Sequence, residues 1–299
     1  AFGHGVDDCF VEDCIIEDCN CSGSKVDGGA IYVGSKACVL ERCIVRNNST
    51  ARYGGGVYVS GSGSFKIDHT VISENSASTF FFDCHGGGIC VKPSSGNNIE
   101  LEIDTCLVSG NWVGSSGHTC NGGAIAILSG GTSVSTVIRN TSIVGNSNVG
   151  NGVCGGLYVE QSDTTLVNCI LAGNTADTTT SDVNVAFSSD AVATAVAAKS
   201  AYCYFGGTTT AFGYAPKSES VDGAVAFANA ANGDYRLTAN SPALAAGVRY
   251  DGMGEDLAHV AFAATPAVGC YEYASRVPAP ASRRSSTSSA DSSVRPPAR

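Results

Sequence analysis

The feature that most constrains this chain is a short row that returns five times in its first 160 residues: GGAIYV from Gly28, GGGVYV from Gly54, GGGICV from Gly86, GGAIAI from Gly122 and CGGLYV from Cys154. The spacings are 26, 32, 36 and 32 residues. Between the rows lies a second motif, CIIEDC, CIVRNN, TVISEN, CLVSGN, TSIVGN and CILAGN, whose last column reads Cys19, Asn48, Asn75, Asn111, Asn146 and Asn174. Self-similarity at periods of about 20 to 50 residues marks a solenoid or array, in which each repeat buries its apolar face only against its neighbours.

The pattern inside each repeat selects the solenoid. Counted back from the Asn column, positions −10 and −8 are mostly apolar, as in Phe65 and Ile67, and positions −5 and −3 are small or apolar, as in Cys106 and Val108. Within each pair the period is two, that of a strand, and the three-residue step between pairs breaks phase, which predicts a corner. With the strand of the double-glycine row, each turn has three strands. That is the wiring of an all-β, right-handed parallel β-helix of about six regular coils. Composition agrees, since 37 glycines, 8 prolines and 15% charged residues suit a turn-rich β protein.

In such a stack, equal positions of successive coils touch. An inward Asn at a corner bonds backbone groups and the Asn above and below, so Asn48, Asn75, Asn111, Asn146 and Asn174 are expected to form a ladder. The glycines permit positive φ or a close approach of backbones. Cys14, Cys43, Cys106 and Cys169 share an inward column and are expected to be buried thiols, with a Cys14–Cys43 bridge as the alternative. No His interleaves that column, so metal ligation there is not expected.

The endings at residues 45–48, 72–75, 108–111, 143–146 and 171–174, read as [IVL]-x-x-N with the GGAI-like rows, resemble the GGAI and FxxN repeats of polymorphic outer-membrane proteins and related bacterial β-helix proteins, with an aliphatic residue in place of Phe. Downstream, GDYRLTANSPALAAG (residues 233–247) and AVGCYEY (residues 267–273) resemble the closing segment of bacterial secreted parallel β-helix proteins with variable C-terminal anchors. Together these similarities cover residues 9–185 and 233–273. The resemblance implies the fold and a bacterial protein exported to the cell surface or beyond.

Three parts follow: repeats over 1–185, irregular final coils or a cap over 186–273, and a Ser/Pro/Arg-rich tail over 274–299 that is expected to be disordered. The chain starts inside the repeat pattern, so it is expected to be a piece of a longer protein whose targeting signal and anchor lie elsewhere. No stretch approaches the roughly 20 apolar residues of a membrane helix. Formal charge is −10, and five of the 17 basic residues sit in the tail, leaving 12 basic against 26 acidic residues upstream. Such a surface repels phosphate backbones and argues against nucleic acid as a partner.

Candidate functional residues lie outside the core. Tyr32, Tyr58 and Tyr158 occupy outward positions of the double-glycine strand, where stacked phenol rings suit a polysaccharide or cell-surface glycan, with Lys92 and Trp112 completing the candidate ligand-binding set. The alternative is that Tyr is simply a good strand residue. Two long loops, residues 76–85 and 112–121, are expected to rim this face. Asp83, His85 and His118 in them are the catalytic candidates, as a small acid/base cluster. Cys84 and Cys120 each stand two residues before a double glycine in successive coils, within reach of a disulfide in an exported protein.

Position −4 should point outward, yet reads Ile15, Ile44, Val71, Leu107, Ser142 and Ile170. An exposed apolar stripe of this length calls for a cover, either the 186–273 segment folding back or a protein partner, unless the phase slips by one at the corner. No cofactor is required by any motif; Asp7, Asp8, Glu12, Asp13, Glu17 and Asp18 form an acidic edge that is either solvated or a Ca²⁺ site.

GHG (residues 3–5) is similar to a polygalacturonase motif and KIDHT (residues 66–70) to a pectate lyase segment, but neither has its partner motifs, and Asp68 and His69 share columns with Glu41 and Arg42, Asp104 and Thr105, and Arg139 and Asn140. The leading expectation is a non-catalytic surface scaffold for glycan binding or adhesion. A polysaccharide lyase or glycoside hydrolase acting on an acidic or complex polysaccharide, and a structural spacer, are the alternatives.

Overall fold

The computed structural model describes residues 8–21, 23, 27–34, 36–94, 96–131, 133–160, 163–176, 184–206, 221 and 223–273. Asp7, the GHG segment and the tail from residue 274 lie outside them. The chain winds into a parallel β-solenoid of six coils, in which every strand pairs in parallel with its equivalent one coil away. Coil three shows the plan, with Gly63–Asp68, Val71–Ser73, Ser76–Thr79 and Ile89–Val91 entering four different sheets.

Each coil therefore has four strands rather than the three expected. The additional third sheet is built from Asn20–Cys21, Ser49–Thr50, Ser76–Thr79, Trp112–Ser115, Ser147–Asn148 and Thr175–Ala176. These pieces are two to four residues long and rich in Ser and Thr, too short for a period-two pattern to register. They follow the Asn corner directly, where a loop was expected.

Corners need left-handed backbone. One column between the first and second sheets has positive φ throughout: Arg42 (50°), His69 (46°), Thr105 (50°), Asn140 (43°) and Asn168 (54°). The first glycine of four of the five rows answers the same demand, with φ of 77° at Gly28 and 64° at Gly54, while the fifth row has Cys154 in that place. The second glycine serves a different purpose. A Cβ on Gly87 would run into the carbonyl oxygens of Trp112 and Gly123 in the next coil. The double glycine is thus one turn residue followed by one contact residue, and the contact is what lets coils approach.

Inward side chains make one continuous core, from Ile31, Val33 and Leu40 through Ile72, Ile103 and Ile125 to Leu166 and Leu171. Most polar atoms that enter it are paired, the Thr136 hydroxyl being an exception among the described residues. Asn111 Oδ1 accepts from the backbone N–H and from Nδ2 of Asn75, both at 2.9 Å, while Asn111 Nδ2 donates to Ile72 O and to Asn146 Oδ1 at 2.9 and 3.0 Å. The same bonds recur from Asn48 through Asn174. Asn184, outside the repeat motif, closes the ladder by accepting from Asn174 N and Nδ2 at 3.1 and 2.7 Å. Cys43, Cys106 and Cys169 are buried beside this ladder, and Cys203 extends their column. Cys14 departs from the expectation: it is an exposed thiol, unbridged to Cys43, because it sits in the first described coil with no described coil beneath it.

The far end of the solenoid is covered by a helix, α1 (Asp190–Lys199), that the repeat pattern did not predict. Ser189 caps it by accepting from Val192 N, and Ala193 and Val196 join the core. Tyr204–Phe205 then adds a seventh strand to the second sheet.

From residue 221 the chain runs back along the outer face of that sheet. Leu237, Ala243, Ala267 and Val268 cluster there with Leu107, Val144 and Ile170, so the position −4 residues do point outward and this segment covers Val71, Leu107 and Ile170 among them. The corners supply the polar grip. Tyr250 OH donates to Asp104 Oδ2 at 2.8 Å, Val248 N donates to Asn168 Oδ1 at 2.9 Å, and Cys270 N donates to Ser142 Oγ at 3.2 Å. At the other end of the stripe Ile15 is 58% exposed and Ile44 is half-buried.

Two substitutions test this account. Gly87→Ala forces Cβ against two backbone oxygens and is expected to lower the melting temperature sharply or prevent folding, whereas Gly254→Ala, with open space around it, is expected to leave it unchanged. Asn111→Ala orphans the Asn75 N–H and the Ile72 carbonyl and is expected to cost about 3 kcal/mol in urea unfolding; a loss under about 0.5 kcal/mol would show that the ladder does not stabilise the fold.

Candidate functional site

Two turns lead from the third sheet into the double-glycine rows of coils three and four. Each carries a two-residue strand, Cys84–His85 and Cys120–Asn121, and these pair in parallel. Their register brings Cys84 and Cys120 to 4.7 Å between Cα atoms, where they form a disulfide closing 36 residues. In the loop-entropy picture such a bridge is worth about 4 kcal/mol. It pins both turns at the lip of the fourth sheet.

Two columns flank that sheet. Immediately before the first four double glycines stand Asp27, Tyr53, His85 and Asn121; immediately after the strands of the third, fourth and fifth rows stand Lys92, Leu128 and Glu160. All of these except Asp27, together with Asp83, Thr119, Ser129 and Tyr158, line an open cleft of about 490 Å³.

Tyr53 organises this cleft. Its ring stacks on His85 with centroids 5.7 Å apart and planes 8° off parallel, and packs on Tyr58 at 5.7 Å. Lys92 Nζ donates to its hydroxyl at 3.0 Å and lies 4.5 Å from the ring centroid. The Arg52 guanidinium lies 4.6 Å from the same ring and donates to the same hydroxyl at 3.1 Å. Burial raises the Asp27 carboxyl above its ordinary range, against the pull of Arg52 and Lys92. On the opposite wall Glu160 Oε2 accepts from Ser129 N at 2.9 Å.

The candidate residues distribute unevenly over this geometry. Tyr158 and Lys92 line the cleft, and Tyr32 is half-buried at the end of the aromatic row, its hydroxyl 3.0 Å from Ser60 Oγ. Tyr58 is only 6% exposed beneath Tyr53 and Tyr32, and Cys90 and Ala126 are buried, so no continuous tyrosine track reaches solvent. Trp112 belongs to the third sheet and lines a different hollow, away from this cleft. Its loop turned out to be a strand, which carried the indole to the neighbouring face.

Among the catalytic candidates, Asp83 Oδ1 accepts from Thr119 N at 3.0 Å and lies 3.9 Å from His118 Nδ1. His85 is packed under Tyr53, and its Nδ1 has no hydrogen-bond partner among the described residues. Burial, with smaller pushes from Lys92 and Arg52 against the pull of Asp83, depresses its pKa to about 4. It is therefore a neutral ring at neutral pH, able to accept or donate one hydrogen bond. Asp68 and His69 lie at the corner with Arg42, Thr105 and Asn140, where His69 bonds the Glu255 carbonyl at 3.0 Å, remote from the cleft.

No protein-family model, curated protein or solved structure matches this chain.

Sequence reasoning missed Tyr53, Asn121, Leu128 and Glu160. The signal was present: each occupies the residue just before a double glycine or just after its strand, so stacking alone places them together. Along the N-terminal acidic edge, Arg42 pairs with Glu12, Glu41 and Asp13, and Arg46 pairs with Glu17 at 2.6 Å. Of the candidate Ca²⁺ carboxylates, Glu12, Asp13 and Glu17 are thus held by arginines of the second coil, and no group of three metal-binding side chains occurs among the described residues.

A depressed histidine sets a pH dependence. The folded state favours neutral His85 while the unfolded chain protonates near pH 6.5, so its contribution is fully present above about pH 6.5 and is lost as pH falls toward 4. His85→Gln is expected to flatten thermal stability across that window by roughly 2–4 kcal/mol relative to the parent chain. Parallel curves for the two proteins between pH 7 and 4 would exclude this environment for His85.

Proposed function

We propose that the protein is an exported, surface-displayed β-helix scaffold that binds glycans, without catalysis, through the cleft organised by Tyr53. The observation that carries this reading is the composition of one rigid cleft. A half-buried phenol at Tyr158 offers a ring for sugar C–H groups, while Lys92, Asn121 and Glu160 supply a donor, a mixed amide and an acceptor. The Cys84–Cys120 disulfide supports an oxidising compartment, and the GGAI-like rows support bacterial export.

A second reading has its own observation: Asp83 and Glu160 line the same cleft as neutral His85 and Lys92, which is the raw material of a glycoside hydrolase or polysaccharide lyase. One experiment separates them. Incubation with a panel of plant, algal and animal polysaccharides, with and without Ca²⁺, is expected to give retention in affinity gels and no new reducing or unsaturated ends. Tyr158→Ala and Lys92→Ala should each weaken retention by roughly tenfold. New ends that disappear in Asp83→Asn or Glu160→Gln would establish the enzyme instead, and unaltered retention in both binding variants would remove the cleft from the binding function.

A further inference from the structure

The third sheet, whose pieces were too short to be foreseen, presents a face of unusual chemistry. Its outward column reads Asn20, Ser49, Ser76, Trp112, Ser147 and Thr175, in register across six coils. Two hollows lie along this face, of about 500 Å³ around Trp112 and about 370 Å³ toward the N-terminal coils, and they share Ser78, Thr79 and Phe80. They form one groove from Asn20 in the first coil to Asn151 in the fifth, which at about 4.8 Å per coil is about 20 Å long.

Large apolar side chains stand exposed along it. Phe80 and Phe81 are 77% and 69% exposed, and Trp112 is 36% exposed. The backbone beneath Phe81 and the indole of Trp112 are both fixed. Phe81 N donates to Thr79 Oγ1 at 3.2 Å, and the indole lies along the bare Cα of Gly114, where a Cβ would stand 3.3 Å from Trp112 Cζ3 and 2.7 Å from Val149 Cγ2. Gly114 thus leaves space for the ring to lie flat along the strand. Next to it, Ser115 Oγ has no hydrogen-bond partner among the described residues.

The lining is also electrically silent. Among the described residues no Asp, Glu, Lys, Arg or His lines either hollow, on a chain of net charge −10, whereas the Tyr53 cleft contains Asp83, His85, Lys92 and Glu160. A charged ligand would be left without a counter-ion in this groove. A ligand matched to it carries apolar faces spaced between hydroxyls and no charge, repeated along a line.

We infer that this groove is a second binding site, independent of the Tyr53 cleft, for a neutral polysaccharide. Sugar C–H faces stack on Trp112 and on the Phe80–Phe81 pair, and the exposed Ser78 and Asn151 bond the ring hydroxyls. Trp112 is the only tryptophan of the chain, so its fluorescence reports the site directly.

The test is a titration of the full chain with neutral glycans (β-glucan, mannan, galactan) and acidic ones (alginate, polygalacturonate), following tryptophan emission and affinity-gel retention at low and high salt. A neutral glycan is expected to shift the emission saturably, with little change up to 1 M salt. Phe80→Ser/Phe81→Ser should weaken that binding by roughly tenfold or more at unchanged melting temperature, with Trp112→Ala behaving alike in retention, while Lys92→Ala leaves it intact. An emission response confined to acidic glycans, or none to any, overturns the inference. So does concentration-dependent dimerisation abolished by Phe80→Ser/Phe81→Ser, which would make the groove a contact between copies.

Discussion

Coil-to-coil register is the constraint on which the rest of this structure depends. A parallel stack of backbones about 4.8 Å apart leaves no room for a side chain where one turn crosses the next, and the second glycine of each row meets that condition. Once the coils are that close, each residue has one neighbour above and one below, and the asparagine ladder becomes a chain of amides that satisfy one another. The functional features obey the same rule. Tyr53, His85 and Asn121 meet because they hold the same place in three successive coils, and so do Cys84 and Cys120.

The two grooves differ because two sheets of one coil differ. The fourth sheet is flanked by positions free to hold Lys, Glu, Tyr or His, so its cleft is charged and aromatic. The third sheet is made of short Ser- and Thr-rich strands that follow the Asn corner, which makes its face flat and uncharged until Trp112, Phe80 and Phe81 interrupt it. A rigid solenoid can present both without either disturbing the other.

Much of the fold was legible because it repeats. The Asn column, the double glycines and the outward apolar stripe each recur five or six times, so a single sequence contains its own alignment. What happens once was harder to read. The helix at 190–199 has a Ser N-cap, Asp190 in its first turn and Lys199 in its last, yet its Ala- and Val-rich interior lacks an amphipathic period. Trp112 was assigned to the wrong face because one unrecognised strand rotated it by a corner. Tyr58 was read as outward, which is true of its Cα direction, but Tyr53 from the preceding turn covers it. Residue direction follows from periodicity; exposure depends on what the loops bring, and loops carry no period.

The return of residues 221–273 along the second sheet also sets an order of events. Each coil closes over about 30 residues of chain and can assemble as it is made, whereas the bond from Tyr250 to Asp104 spans 146 residues. Leu107, Val144 and Ile170 therefore face water from the time their coils form until the last part of the described chain arrives. Before residues 221–273 dock, the molecule is sticky along Leu107, Val144 and Ile170, and afterwards it is not, so docking of that segment is written on its surface as the disappearance of apolar area there.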